Sequence, residues 1–264
     1  MKSIALKGTV FLMVVFFCTP VFAQEKTSFS VTPRVWFASM DLPFEDYASY
    51  ETFSLPMYGA TVAVRPSFTP NVSFLLTVLT GSGDGEGVFA WNESANIDAD
   101  RTDAELLARY SIPNTSFSLY GGLRYVTFDN DQAGTIVYDV TGTGVFDVFR
   151  AKTETDIWVA EVGLGAVANI TESGRHRFFS NFTFGMSFSD WDYSDNEGFA
   201  SSGDDSAPMI DFNAGYQYSI NERMSLSARY RLFTILSETE VIDDVSQDKL
   251  VTIHGPEASF TVNF

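Results

Sequence analysis

Cysteine is nearly absent from this chain of 264 residues, and histidine and basic charge are scarce. The one cysteine, Cys18, falls in a segment that reads as a secretory leader. Lys2 and Lys7 come first, then an apolar run over 10–18, then Pro20 and the small-residue site Val21-Phe22-Ala23. Cleavage after Ala23 removes the thiol, so residues 24–264 carry neither disulfides nor thiolate metal ligands. Phe17, directly before Cys18, excludes a lipid-attachment cysteine. The leader's apolar run is short for a spanning helix, which needs about 20 residues, and no later run is long enough. Without Lys2 and Lys7, 14 basic residues face 34 acidic ones, a net charge of −20. Phosphate recognition needs clustered Lys and Arg, so nucleic acid is excluded as a partner.

Aromatic residues are abundant. Acidic chains that stay unfolded are poor in aromatics, whereas this one has 25 Phe, 11 Tyr and 4 Trp. They recur with period two, the signature of a strand with two different faces. Phe117, Leu119, Gly121, Leu123 and Tyr125 share one face, and Ser118, Tyr120, Gly122, Arg124 and Val126 the other. Met224, Leu226, Ala228, Tyr230 and Leu232 oppose Ser225, Ser227, Arg229 and Arg231 in the same way. Ten such segments are predicted, over 28–40, 57–68, 72–81, 101–112, 116–128, 157–170, 175–189, 207–220, 224–235 and 250–264.

Connections between the segments alternate in length. Short ones hold Thr69-Pro70-Asn71, Pro113-Asn114-Thr115, Thr171-Glu172-Ser173-Gly174 and Asn221-Glu222-Arg223, all good turn formers. Long ones cover 41–56, 82–100, 129–156, 190–206 and 236–249. A soluble β-sandwich also alternates. Here, however, the polar faces carry no lysine and many small residues, as in Gly59-Thr61-Ala63. The apolar faces are bulky and continuous, as in Phe178, Phe182, Phe184, Met186 and Phe188. Lipid covers such a face all the way round. The expected fold is all-β: a closed, antiparallel, up-and-down transmembrane barrel of ten strands over 24–264. Short periplasmic turns, long outer loops and periplasmic termini complete it.

The chain ends Glu257-Ala258-Ser259-Phe260-Thr261-Val262-Asn263-Phe264. Glu257, Phe260, Val262 and Phe264 resemble the terminal assembly signal of bacterial outer-membrane β-barrel proteins, with Ser259 where that family prefers Gly. The resemblance implies insertion by the barrel-assembly machinery into a membrane of lipid and lipopolysaccharide.

Charge is distributed unevenly. The five long connections hold 26 of the 34 acids, opposed by Arg150, Lys152 and Lys249. An outer mouth so charged attracts cations. Facing the lumen, Arg34, Arg65, Arg109, Arg124, Arg229 and Arg231 meet Asp103, Glu105, Glu161, Asp211 and Glu257. We expect a belt of alternating charge, because unpaired charges in a narrow lumen are costly. Glu105, Arg124 and Glu161 fall at similar height, as do Asp211 and Arg231. Glu257 can meet Arg229 and, across the closure, Arg34. Small residues on the same face leave room for a narrow water path.

Candidates for chemistry are few. Omptin proteases resemble this chain in strand count, which implies an Asp-His couple and two further Asp at the outer rim. His254 is the histidine near that rim, but Gly255 and Pro256 complete no Asp-x-His pattern, and its parity faces lipid. Lipid-deacylating barrels need a Ser two residues after the His; Phe178 follows His176 and Pro256 follows His254. No cofactor is expected beyond structural Ca²⁺ or Mg²⁺, for which the oxygen-rich candidates are Asp84 and Glu86, Asp129 and Asp131, and Asp190, Asp192 and Asp195. Asp129-Asn130-Asp131 opens like a calcium loop but departs from it at Ala133 and Val140. Two functions stay open: a narrow passive channel for small ions or solutes, and a closed barrel whose acidic loops engage divalent cations, lipopolysaccharide or a partner. A hydrolase is disfavoured for want of a site.

Overall fold

The computed structural model describes residues 27–42, 51–89, 93–138, 145–196, 198–238 and 248–264; the leader over 1–23 lies outside them. Ten strands follow in chain order: β1 Ser28–Leu42, β2 Glu51–Arg65, β3 Val72–Phe89, β4 Glu93–Ser111, β5 Phe117–Tyr138, β6 Val145–Asn169, β7 His176–Asp195, β8 Ala200–Ser219, β9 Met224–Glu238 and β10 Asp248–Asn263. Each pairs antiparallel with its neighbours, and β1 pairs with β10, so the sheet is a closed barrel without sheet edges. At the inner end the Phe264 N–H donates to the Phe29 carbonyl at 2.8 Å, and the two rings lie 5.8 Å apart.

The inner turns follow from their residues. Asn221 Oδ1 accepts from the backbone N–H groups of Arg223 and Met224, at 2.8 and 2.9 Å. Gly174 adopts φ 64° and Asn114 φ 60°, left-handed conformations that Gly and Asn tolerate best.

At the other end the strands overrun their predicted limits. The expected loops over 82–100, 129–156 and 190–206 are mostly sheet. Beyond residue 128, β5 continues for ten residues, roughly 30 Å of strand at ~3.3 Å each. The alternation persists there with a change of chemistry. Ile97, Ala99 and Asn130 are buried inside, while Asp98, Asp100, Asp129 and Asp131 are exposed outside. The outward positions there are acidic rather than apolar.

Below that level the outer face is an apolar belt. Val35, Phe37, Tyr58, Leu106, Leu123, Trp158, Val162, Phe184, Phe188, Phe212 and Tyr230 are all exposed. Trp158 and Phe188 lie one outward step below Asp156 and Asp190, which marks the upper limit of the belt on β6 and β7. There Tyr125 packs against Trp158 at 4.6 Å and donates its hydroxyl to Asp156 at 2.8 Å.

Candidate functional site: a charged and apolar plug in the lumen

The belt of lumen charges is assembled around Arg124, which is 2 % exposed. Its Nη2 donates to Glu105, to Asp211 at 2.7 Å and to Glu161 at 3.3 Å, joining β5 to β4, β8 and β6. Asp211 also accepts from Arg231 at 2.5 Å. Arg34 grips Glu257 with two bonds, 2.6 and 3.0 Å, and Arg229 reaches the same carboxylate at 2.8 Å. Bidentate pairing of this kind fixes orientation as well as charge. Toward the inner end the network passes into neutral groups. Arg229 donates to Asn213, Asn181 donates to Asn213, and Tyr120 donates to Asn181.

Arg65 and Arg109 take other places. Arg65 stands exposed at the inner end of β2. Arg109 lies 5.6 Å from the Tyr120 ring centroid. The sequence reading also missed a member: Arg101 is buried and holds Asp103, two residues on, with bonds of 2.6 and 3.1 Å. Arg101, Asp103 and Glu105 share one parity, the signal that could have found it.

Above the charges lies an apolar layer that sequence reasoning did not anticipate. On strand after strand, the next inward residue beyond the charge is apolar: Trp36 after Arg34, Val126 after Arg124, Val159 above Glu161, Met209 above Asp211, Phe233 after Arg231. Leu55, Met57, Leu79 and Ile253 complete the layer, all at or near zero exposure. Aromatic faces cap the guanidinium groups, Phe233 those of Arg101 at 5.1 Å and Arg124 at 4.9 Å, and Trp36 that of Arg231 at 4.8 Å. Desolvated cations are favoured in such places by the ring quadrupole.

The small residues expected to leave a water path are seats for large ones. A β-carbon on Gly122 would lie 2.7 Å from Leu107 Cδ2, and one on Gly165 would meet Tyr120, Asn181 and Ser118 within 2.7 Å. The glycines make room for side chains of the strands beside them, Leu107 over Gly122 and Tyr120 and Asn181 over Gly165.

The loop acids are redistributed as well. Asp129-Asn130-Asp131 is strand, with its middle residue buried, so the calcium-loop geometry cannot form. The segment 81–87 is strand paired with β4 rather than a flexible loop. Asp84 faces Asp98, which faces Asp131; Asp129 faces Glu154, which faces Asp192; Asp156 faces Asp190, which faces Asp204. Asp195 caps a turn by accepting from the Phe199 N–H at 2.9 Å. The side chain of Glu86 lies outside the described residues. Among the described residues no three such groups converge as a metal would require. A shallow depression of about 440 Å³ opens beside Lys152, Glu154, Asp192 and Tyr193. There a hydrogen bond from Lys152 to Glu154 holds the ammonium above the usual lysine range.

Both histidines share the outward parity of the apolar belt. His176 bonds Tyr216, and His254 bonds Tyr230 at 2.7 Å. Phe260, Val262 and Phe264 alternate along the outward face of β10, while Glu257 turns into the lumen.

No protein-family model matches the chain, and no curated protein matches it in sequence. Solved structures do resemble it. The outer membrane protease OmpT from Escherichia coli aligns with a TM-score of 0.60 over 92 % of this chain and 100 % of its own, at 10 % identity. The translocator domain of the autotransporter NalP from Neisseria meningitidis aligns at 0.54, over 100 % and 98 %, again at 10 % identity. At such identity the likeness concerns architecture. The chain has the fold of the bacterial outer-membrane β-barrels.

Proposed function

We propose that this protein is a plugged outer-membrane barrel whose acidic outer wall acts as a non-enzymatic binding surface. The single observation that carries this reading is the pair of stacked layers in the lumen, the Arg124 charge cluster under Trp36, Met57, Val126, Val159, Met209 and Phe233. A passive channel needs a continuous water path, and side chains at zero exposure fill that space. With the lumen closed, the surface left for function is the wall that stands beyond the apolar belt. Both termini then lie in the periplasm and the wall faces the outer medium, as the short inner turns favour. Insertion falls to the barrel-assembly machinery, guided by the terminal strand.

The wall's partners follow from its charge. Rows of carboxylates one or two residues above the belt sit at the level of anionic lipopolysaccharide headgroups. Divalent cations bridge two such anionic surfaces, so Ca²⁺ or Mg²⁺ is the natural mediator. Two histidines turned outward, each bonded to a tyrosine, support a surface without hydrolytic chemistry.

The test is electrical. Refolded protein in planar bilayers is expected to show no unitary current steps. Sustained ohmic channels in the unmodified protein would overturn the plugged reading.

A further inference from the structure

Residues 24–264 hold 14 basic side chains against 34 acids, so the placement of each base carries information. Arg34, Arg101, Arg124, Arg229 and Arg231 are bound to carboxylates in the plug. Between the plug and the inner end the lumen loses its acids altogether. Inward positions there are small, polar or apolar, as in Ser73, Ser118, Gln217 and Thr261, and among the described residues none is Asp or Glu. Arg65 on β2, Arg109 on β4 and Arg177 on β7 nevertheless share that inward parity. Arg177 is tied to its own turn, donating to the Gly174 carbonyl at 3.0 Å. The guanidinium groups of Arg65 and Arg109 make no hydrogen bond or ion pair among the described residues, and the Arg109 Nε is buried without an acceptor.

The ladders bring these two together. Ser73 pairs with Arg109 across β3 and β4. One step past the Val64–Phe74 pair, Ser73 also stands opposite Arg65. The two arginines thus flank Ser73 in one row, about 10 Å apart at the backbone, since each strand spacing is ~4.8 Å. They lie on the concave face of a closed sheet, where side chains of neighbouring strands converge. Ser73 is buried, and its hydroxyl makes no hydrogen bond among the described residues. Arg65 is exposed at the end of β2, so the row opens to the inner end. Lipid headgroups do not account for this pair, because its parity turns it away from the bilayer. Arg175 and Arg223 serve that role better, each in a turn that also holds an acid, Glu172 or Glu222. The C-terminal carboxylate leaves the rim on β10, two strands from Arg65, and makes no ion pair with it.

We propose that Arg65, Arg109 and Ser73 form a binding site for a small phosphate-bearing solute at the inner mouth of the lumen. Each guanidinium presents a planar fork of donors that matches two phosphate oxygens, and the serine hydroxyl adds another donor. Two cations meet the charge of a phosphate dianion without a competing carboxylate. The site goes beyond the binding wall proposed above. It lies on the other side of the plug and stands whether or not the plug conducts.

The probe is radiolabelled inorganic phosphate, in equilibrium dialysis against the full refolded chain in detergent, with chloride holding the ionic strength constant. Saturable binding is expected. Its absence at millimolar phosphate would overturn the proposal. Arg65→Gln with Arg109→Gln is expected to weaken binding roughly tenfold or more, as the loss of charge-assisted bonds implies. Heat-modifiable migration checks that this variant folds. Arg175→Gln with Arg223→Gln, in the turns, is expected to bind as the unmodified protein does. Equal weakening in both variants would mean diffuse attraction to a basic rim and would overturn the site. The measurement is repeated in nanodiscs of phosphatidylglycerol, where binding is expected to persist. Its loss there would give the site to a lipid headgroup and overturn a solute as the ligand.

Discussion

Arg124 illustrates how much one side chain can hold in a closed barrel. Its guanidinium meets carboxylates from three other strands. Removing it leaves Glu105, Glu161 and Asp211 with a single cation, Arg231, among them. Breaking a buried ion pair costs about 3–5 kcal/mol, because the stranded charge stays desolvated. Arg124→Ala is expected to lose stability in that range, read from urea unfolding in vesicles. Arg124→Lys should recover part of it, because all three carboxylates meet the single nitrogen Nη2 and an ammonium keeps that charge, but it loses the guanidinium plane that Phe233 caps at 4.9 Å. The carboxylates themselves should rank. Asp211 accepts from two guanidinium groups, whereas Glu161 meets Arg124 alone at 3.3 Å. Asp211→Asn should therefore destabilise more than Glu161→Gln. The reverse order would mean that the short contacts do not carry the energy.

At the scale of the strand, the sequence announced the inner halves and concealed the outer ones. The lipid-facing halves alternate Phe and Leu with Gly and Ser, a contrast that reads at once. Beyond the belt the outward positions turn acidic, and glycine enters as in Gly81, Gly83 and Gly85, so the same period resembles a loop. Paired charges such as Glu257 with Arg34 were legible because opposite signs on neighbouring strands of one parity have few other partners. The apolar layer was not legible, because Val126 or Met209 on a polar face looks like noise until ten strands place them at one height. The acidic outer halves carry a cost that can be measured. Like charges directly opposite in a ladder are destabilising, by roughly 0.2–1 kcal/mol per pair. Asp190 faces both Asp156 and Asp204. Asp190→Asn should raise the thermal midpoint by relieving two such contacts. Millimolar Ca²⁺ should raise it in the unmodified protein, and by less in the variant. A midpoint indifferent to calcium in both would count against cation binding by the wall.

The whole molecule separates its charge by place. Acids crowd the outer wall, while the plug draws its cations and anions into close contact, and the chain as a whole carries −18. Asp84, Asp98, Asp100, Asp129, Asp131, Glu154, Asp156, Asp190, Asp192 and Asp204 point away from the lumen, with Ala99, Asn130 and Ala151 buried on the inner side of the wall. Their field therefore reaches a permeating ion only at a distance. This gives a prediction for a barrel with its plug removed. Trp36→Ala with Phe233→Ala deletes the two aromatic caps over the arginines, and is expected to convert a silent barrel into a conducting one. Its current should favour cations, as the reversal potential under a salt gradient reports. The preference should also fade with salt, since screening shortens the reach of charge from about 10 Å at 0.1 M to about 3 Å at 1 M. Anion preference would locate selectivity at the newly exposed arginines instead. A cation preference that persists at 1 M would require carboxylates lining the path itself, with Glu105 and Glu161 the groups placed to do so.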